Sequence, residues 1–426
     1  MSRGRVDLTG LGLLLATLLI ATAGLVYELI AGTAASYLLG DSVTQFSFVI
    51  GAYLFAMGLG SYASRWIEGD LLTWFVRIEL AVGLLGGFAA PLLFWAFARG
   101  GPFQVVLYLI VGGVGIGVGL EIPLLVRLLE GRMQLRDLIA RVLFFDYLGA
   151  LIASLAFPLL LVPRLGLIAT SLTVGLLNAL VGACVAIAFR TTLKRPWRLL
   201  TESGVIATVL AVALFYTGRI ERQFDHDLYP DAVIYSENSF YQRIVVTRGR
   251  SGELRLHLNG HLQFSTSDEH RYHEALVYPL LAVAPPGPLD VLVLGGGDGL
   301  AARELLRDSD VRSVRLIDLD PAVTRLFTEH DDLSELNAHA LSDPRVTVVN
   351  ADAFAWLEEN PAERFQAVVI DLPDPTSYGV GKLYTTAFYR RVREHLAPGG
   401  VAVVQSTSPM FARRAFWCVS HTLGAA

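Results

Sequence analysis

The stretch Val291-Leu292-Val293-Leu294-Gly295-Gly296-Gly297-Asp298-Gly299 decides the fold. Its four apolar residues predict a buried strand. The four glycines in the next five positions predict a turn whose backbone a ligand can approach closely. Leu300 to Leu306 then reads as the start of a helix. Strand, glycine turn and helix in that order is how a doubly wound α/β domain brings a nucleotide-like ligand to a helix N-terminus. A glycine cluster alone is weak evidence in a chain with 40 glycines. A second apolar strand at 313–319 strengthens it. That strand carries Asp318, twenty residues past Asp298, the spacing at which a carboxylate takes ribose hydroxyls.

Asp298 narrows the ligand. A carboxylate inside the loop repels the carboxylate tail of ordinary S-adenosylmethionine and attracts a bare ammonium. The other reading is that Asp298 only caps the helix that follows. On this residue alone both stand.

The chain has 426 residues, 53% of them hydrophobic and 17% charged, enough for two or three domains. The apolar residues crowd into the first half. The net charge of −5 gives no sign of a nucleic-acid partner. Two cysteines, Cys184 and Cys418, cannot make a disulfide framework. The first apolar run is long and is followed by others, so no cleavable signal peptide is evident.

Apolar runs of spanning length recur at 11–29, 43–62, 78–97, 105–125, 142–161, 165–189 and 199–216. They predict a multi-span membrane domain (1–218) of roughly seven helices, each about 20 residues long. The lipid bilayer is therefore an expected partner and the cell membrane the expected location. Basic residues fall in alternate connections: Arg3 and Arg5, then Arg65 and Arg77, then Arg127, Arg132, Arg136 and Arg141, then Arg190, Lys194, Arg195 and Arg198. Arg99 and Arg164 are nearly alone in the others. The positive-inside rule puts the N-terminus in the cytoplasm. Seven crossings would then leave the second half outside, so run 199–216, short and following a basic cluster, is expected not to span. Glu28, Glu79, Glu121 and Asp146 lie within or at the ends of these runs and are functional candidates by cost alone. The plainer readings pair Glu79 with Arg77 and set Asp146 near Arg141. Gly112, Gly113, Gly115, Gly117 and Gly119 read as small residues for close helix packing.

Residues 219–230 read as a polar linker. A small β-hairpin region (219–284) follows, with strands at 232–236, 243–248 and 253–258 and turns at 249–252 and Asn259-Gly260. Residues 268–282 predict a helix, and Pro285-Pro286-Gly287-Pro288 a linker. A Rossmann-like α/β domain of the methyltransferase type (285–426) adds strands at 346–349, 365–370 and 401–404. Asp298, Asp318, Asp352, Asp371 and Asp374 all fall at strand ends, where ligands of a parallel sheet bind. Five acids on one rim suit a cationic substrate.

From Tyr235 onward the chain resembles the spermidine synthases, the polyamine aminopropyltransferases. The resemblance rests on Tyr241-Gln242, Asn259-Gly260-His261-Leu262-Gln263, Asp268-Glu269 with Tyr272-His273-Glu274, the glycine loop, Asp352, Asp371-Leu372-Pro373-Asp374-Pro375 and Leu383-Tyr384-Thr385. It implies transfer of an aminopropyl group from decarboxylated S-adenosylmethionine to putrescine or a related polyamine, giving spermidine and methylthioadenosine. It implies no metal and no cofactor beyond that co-substrate. It also implies a homo-oligomer assembled through the hairpin region. Carried over by motif, Asp371 is the general base. Gln242 and Asp318 hold the nucleoside, Asp352 and Ala353 meet the adenine, and Gly295 and Gly297 shape the donor loop. His273, Asp298 and Asp374 face amines, with Tyr272 and Gln263 lining the acceptor channel. The chain departs from the family at Asp318, usually Glu, and at Asn259, commonly Asp. It departs again at 376–381, which lacks the usual Gly-Pro, and at its end, which is expected to lack a final strand pair. Two competing readings are a methyltransferase on the same fold, and a polyamine transporter or sensor whose second half binds without catalysis.

Overall fold

The computed structural model describes residues 8–39, 42–130, 134–375 and 378–426. Arg3, Arg5, Arg132, Thr376 and Ser377 lie outside the described residues. The chain divides into two compact units, Met1–Pro230 and Asp231–Ala426.

The first unit is helical. Its elements are α1 (Leu8–Leu39), α2 (Ser42–Ala63), α3 (Leu71–Gly87), α4 (Ala89–Ala98), α5 (Phe103–Leu129), α6 (Leu135–Ala156), α7 (Val162–Ala188), α8 (Pro196–Phe215) and α9 (Thr217–Leu228). Among the described residues, six helical stretches are long and apolar enough to cross a membrane. One of them, Leu135–Ala188, runs 54 residues. Straight, it would reach about 80 Å, far beyond a hydrocarbon core of about 30 Å. It is not straight, because Gly166 sits at φ 75° and ψ 175° and breaks it. The two expected runs at 142–161 and 165–189 thus lie on either side of a glycine break.

Helix directions follow from single contacts. The Tyr53 hydroxyl donates to the Gly24 carbonyl at 2.9 Å while Phe46 lies against Gly32, so α2 runs antiparallel to α1. Gly115 meets Tyr53 and Ala56, and the Arg127 guanidinium donates to the carbonyls of Ser64 and Ile67 at 3.0 and 2.9 Å, so α5 runs parallel to α2. Gly113 against Leu85 and Gly117 against Val82 set α3 antiparallel to α5. Gly175 against Gly87 and Gly182 against Leu80 and Val76 set α7 antiparallel to α3. The expectation of close packing holds at Gly113, Gly115, Gly117 and Gly119; a Cβ at Gly112 would meet nothing.

Two expectations are corrected here. Arg77 pairs with Glu202 of α8 at 2.9 Å rather than with Glu79. That pair, together with Leu210 against Gly87, aligns α8 parallel to α3 along the bundle. The run at 199–216 forms a helix of 20 residues along α3, by length and composition able to cross a membrane. The supposed linker is corrected as well. Residues 217–228 form α9, whose Phe224 is buried with its ring 6.1 Å from that of Phe94.

The second unit opens with an antiparallel sheet of β1 (Ala232–Asn238), β2 (Arg243–Arg248), β3 (Leu254–Leu258) and β4 (His261–Ser265). Next come α10 (Glu269–Val283), β5 (Leu289–Gly295), α11 (Leu300–Leu306), β6 (Val311–Asp318), α12 (Pro321–Glu329), α13 (Asp331–Leu336) and β7 (Val346–Asn350). The chain continues through α14 (Ala353–Glu359), β8 (Phe365–Asp371), α15 (Tyr378–Gly381), α16 (Thr386–Glu394), β9 (Leu396–Val404) and α17 (Arg413–Gly424). The parallel strands lie in the order β7-β6-β5-β8-β9. Val291 and Val293 of β5 pack on one face with Leu276, Val277 and Phe327, and Leu292 and Leu294 on the other with Trp356 and Phe388. Burial on both faces explains why this strand reads as a continuous apolar run. Strand order reverses beside β5, which has β6 on one side and β8 on the other. The crevice beyond the carboxyl ends at such a reversal is where ligands of this architecture bind.

The Asn-Gly signal is confirmed. Asn259 and Gly260 take φ 51° and 80° between the paired residues Leu258 and His261. The Asn259 side-chain oxygen accepts from the Arg243 backbone N–H at 3.0 Å. Asn259→Ala loses that bond and the tolerance of Asn for left-handed backbone, together about 1–2 kcal/mol. The thermal midpoint of the second unit should fall, and Asn259→Gly should recover part of the loss. Equal midpoints for all three forms would show that the turn contributes nothing.

Candidate active site

The loop from Gly295 to Gly299 sits where two strand ends meet it. Gly295 is the register partner of Asp371 across β5 and β8. It takes φ 86°, and a Cβ there would lie 2.0 Å from the Asp371 carbonyl oxygen. A Cβ on Gly297 would lie 2.6 Å from the Asp318 carboxyl group. Only glycine lets the loop pass between these two acids. Asp318 then accepts from the Gly297 N–H at 3.0 Å and from the Asp320 N–H at 2.9 Å. Burial pushes its carboxyl up to about 6, against the pull of those two N–H groups.

Asp298 accepts from the Leu300 N–H at 2.9 Å. The N-cap of α11 is Gly299, and Asp298, one position earlier, satisfies the first N–H of the helix. That bond does not exhaust the residue, because the charges of His273 and Glu269 also act on Asp298. Burial raises its carboxyl, and His273 opposes that rise.

Asp371 ends β8 and accepts from the Tyr272 hydroxyl at 2.5 Å. Burial and then the charge of Asp298 push it up to about 6, while the Tyr272 hydrogen bond and the His273 charge hold it down. Burial and the Asp371 charge hold the Tyr272 phenol far above its ordinary value, so its proton stays on oxygen. Burial works to lower His273, but the Glu269 hydrogen bond at 2.8 Å and the charges of Asp298 and Asp371 outweigh it and raise the imidazole. Tyr272, His273, Asp298 and Asp371 thus form one electrostatic group, built from α10, the glycine loop and the end of β8.

The other expected residues take different places. Gln242 donates its amide to Asp320 at 3.0 Å. Asp352 caps α14, accepting from Phe354 and Ala355 at 2.9 and 3.2 Å, and pairs with Lys382. Ala353 is buried at the first turn of that helix. Asp374 is exposed and accepts from Gln405 at 3.2 Å. Gln263 is exposed and donates to the His261 carbonyl at 3.2 Å, a local contact. A cavity of about 470 Å³ opens among Tyr278, Glu304 and Arg307, and none of the strand-end acids lines it.

Two supporting groups were missed in the sequence. Asp320 is 2% exposed, caps α12 through the Ala322 N–H, and receives Ser239 and Gln242 at 2.6 and 3.0 Å. Its signal was present: an acid immediately before Pro321 marks a helix start. Arg303 is the second. It bridges Glu269 at 3.0 Å and the fully buried Glu304 at 2.8 Å, and so fixes the partner of His273. No sequence spacing announces it.

The description "Spermine/spermidine synthase domain" matches residues 269–425. A polyamine aminopropyltransferase of Leptospira interrogans is 49% identical over 417 residues, covering 96% of this chain and 82% of that protein. Polyamine aminopropyltransferase 2 of Ralstonia nicotianae is 50% identical over 418 residues, covering 96% and 81%. The chain belongs to the polyamine aminopropyltransferases. Both alignments take in the helical unit as well as the strand-end acids. A solved spermidine synthase in complex with the transition state analogue AdoDATO is 27% identical, with a TM-score of 0.43, covering 46% of this chain and 64% of that one.

The electrostatic group predicts two opposite pH shifts. A base works ionised, so the acid limb of kcat/KM should rise through about 6 if Asp371 is the base. Asp298→Asn removes a charge that raises Asp371, and the limb should move to lower pH. Tyr272→Phe removes a bond that lowers Asp371, and the limb should move to higher pH. Movement of both variants in the same direction would dissociate Asp371 from the limb.

Proposed function

We propose that this chain transfers an aminopropyl group from decarboxylated S-adenosylmethionine to a polyamine acceptor such as putrescine, with Asp371 as the proton acceptor. The observation that carries this reading is Asp371 itself: a recessed carboxylate at the strand-order reversal, aimed by Tyr272 and raised by Asp298. An acceptor ammonium has no lone pair, and by analogy with Lys at about 10.4 it stays protonated near neutral pH. A carboxyl held near 6 is ionised there, yet it is a stronger base than an ordinary Asp. It takes one proton from the ammonium. The freed nitrogen pair attacks the methylene carbon beside the sulfonium. The carbon–sulfur bond breaks, its electron pair returns to sulfur, and neutral methylthioadenosine leaves. The product nitrogen becomes a secondary ammonium. Asp298 and Asp374 suit the cationic ends of donor and acceptor, and Tyr272 and His273 position Asp371. Asp318 suits the ribose, and Gln242 supports that side through Asp320.

A contrast between two variants tests the roles. Asp371→Asn should lower turnover by about 10²–10⁴-fold, the range for a lost general base, and leave methylthioadenosine binding nearly unchanged. Asp318→Asn should weaken nucleoside binding more than the chemical step. Near-normal single-turnover rates in Asp371→Asn would move the base elsewhere.

The reading extends to location: a multi-pass protein of the cell membrane. Its support is the length of the apolar helices and their apolar outward faces, with Phe55, Leu109, Phe144 and Phe215 all more than half exposed. Arg65, Arg127, Arg136, Arg190 and Arg195 fall at one end of the bundle by the helix directions above, and α8 ends at the other. The positive-inside rule then puts residues after Gly218 outside the cytoplasm. A nucleoside donor would have to reach that face. A phosphatase reporter fused after Gly218, active only outside the cytoplasm, should be active. An inactive phosphatase with an active cytoplasmic reporter at the same site would mean that the bundle is inserted the other way.

A further inference from the structure

Glu79 and Glu121 lie inside the helical unit, 0% and 6% exposed. The absence of a side chain at Gly117 brings α5 against Ile78 and Val82 of α3, and each acid sits within one turn of that contact. The two carboxylates act on each other directly. Tyr27 of α1, 2% exposed with its ring over Gly86, acts on both. Its hydroxyl has no partner among the described residues, and the buried oxygens of Glu79 and Glu121 have none beyond each other. Asn178 of α7, wholly buried against Gly83 one turn from Glu79, leaves both amide atoms unpaired. Among the described residues, no Lys or Arg charge acts on either acid. The nearest guanidinium in sequence, Arg77, is committed to Glu202.

A buried carboxylate without a partner costs many kcal/mol. Acids at such depth mark ion and substrate paths. The charges of Glu121 and of the half-buried Glu28 and Asp146 also act on Tyr53, whose hydroxyl donates to the Gly24 carbonyl at 2.9 Å. We propose that Glu79, Glu121 and Tyr27 form a binding site for a primary alkylammonium. An ammonium carries three N–H donors at one point and one positive charge, which matches two carboxylates and a hydroxyl. The choice of an amine over an alkali ion rests on the aminopropyltransferase reading, because the second unit acts on such groups.

Equilibrium binding of labelled putrescine to the full chain in lipid nanodiscs tests the site. Two classes of site per chain are expected. Glu79→Gln and Glu121→Gln should each weaken one class at least tenfold while methylthioadenosine release at saturating substrates stays unchanged, which also reports that the chain is folded. Tyr27→Phe, a milder change, should weaken the same class less. Binding identical to that of the unaltered chain in all three variants overturns the site. So does one class of putrescine site with a sodium, potassium or proton dependence lost at Glu79 and Glu121. Loss of methylthioadenosine release in the unaltered chain, with two binding classes intact, would instead sink the catalytic reading and spare this one.

Discussion

The second unit depends on one close approach. The backbone of a five-residue glycine loop passes between the ends of β6 and β8, near enough that any side chain at Gly295 or Gly297 would overlap Asp371 or Asp318. The approach places three carboxylates, Asp298, Asp318 and Asp371, around one turn. Each is raised by burial, and Asp298 raises both of the others. Like charges confined in this way are costly, and the cost is relieved when a cation enters. The arrangement is strained against anions and matched to a sulfonium or an ammonium before any substrate contact is considered. This bears on the two readings of Asp298: it satisfies the first N–H of α11 and also sets the field at Asp371.

Around that turn lies a ring of charge that does no chemistry and holds the acids in place. Burial opposes the charge on Glu269, yet His273 and Arg303 pull its carboxyl down to about 2. Arg303 in turn satisfies Glu304, which is fully buried and also receives the Tyr278 hydroxyl at 2.6 Å. The chain from Tyr278 to His273 is continuous through hydrogen bonds. Asp320 plays the same part beside Asp318, tying the β1–β2 connection to α12 through Ser239 and Gln242. Buried charges of this kind are stable only when every partner is present. A substitution at Arg303 would therefore reach Asp371 through His273 without touching a substrate.

What the sequence made legible follows from period and punctuation. The five parallel strands, the Asn-Gly hairpin and the apolar helices were readable because each depends on local pattern. So were Asp298, Asp318 and Asp371, because strand ends are visible and the glycine loop marks the reversal. The illegible parts depend on contacts far apart in sequence. Gln242 meets Asp320 across 78 residues, and Arg303 meets Glu269 across 34. The short strand β4 escaped because His261, Leu262 and Gln263 are all exposed, which leaves no alternation to read. Helix α9 read as a linker because only one face is apolar, and that face is used by Phe224 against Phe94. The direction of α8 rested on Arg77 choosing Glu202 rather than the nearer Glu79, a choice that only packing decides.

The two units treat buried acids in opposite ways. In the second unit every acid of the glycine turn is bonded: Asp318 to two backbone N–H groups, Asp298 to one, Asp371 to a phenol. These donors hold each carboxylate in one orientation and keep it ionised enough to act on a cation. In the helical unit the buried oxygens of Glu79 and Glu121 have, among the described residues, no such donor and no cationic side chain, only each other. A fixed carboxylate suits chemistry, where a fraction of an ångström in the position of a base matters. An unsatisfied one suits occupancy, because its free energy falls only when something positive arrives and rises again when it leaves. The same element of composition, acid buried among apolar residues, thus supports catalysis in one unit and exchange of a cation in the other, and the difference lies in the number of hydrogen-bond donors the backbone leaves within reach.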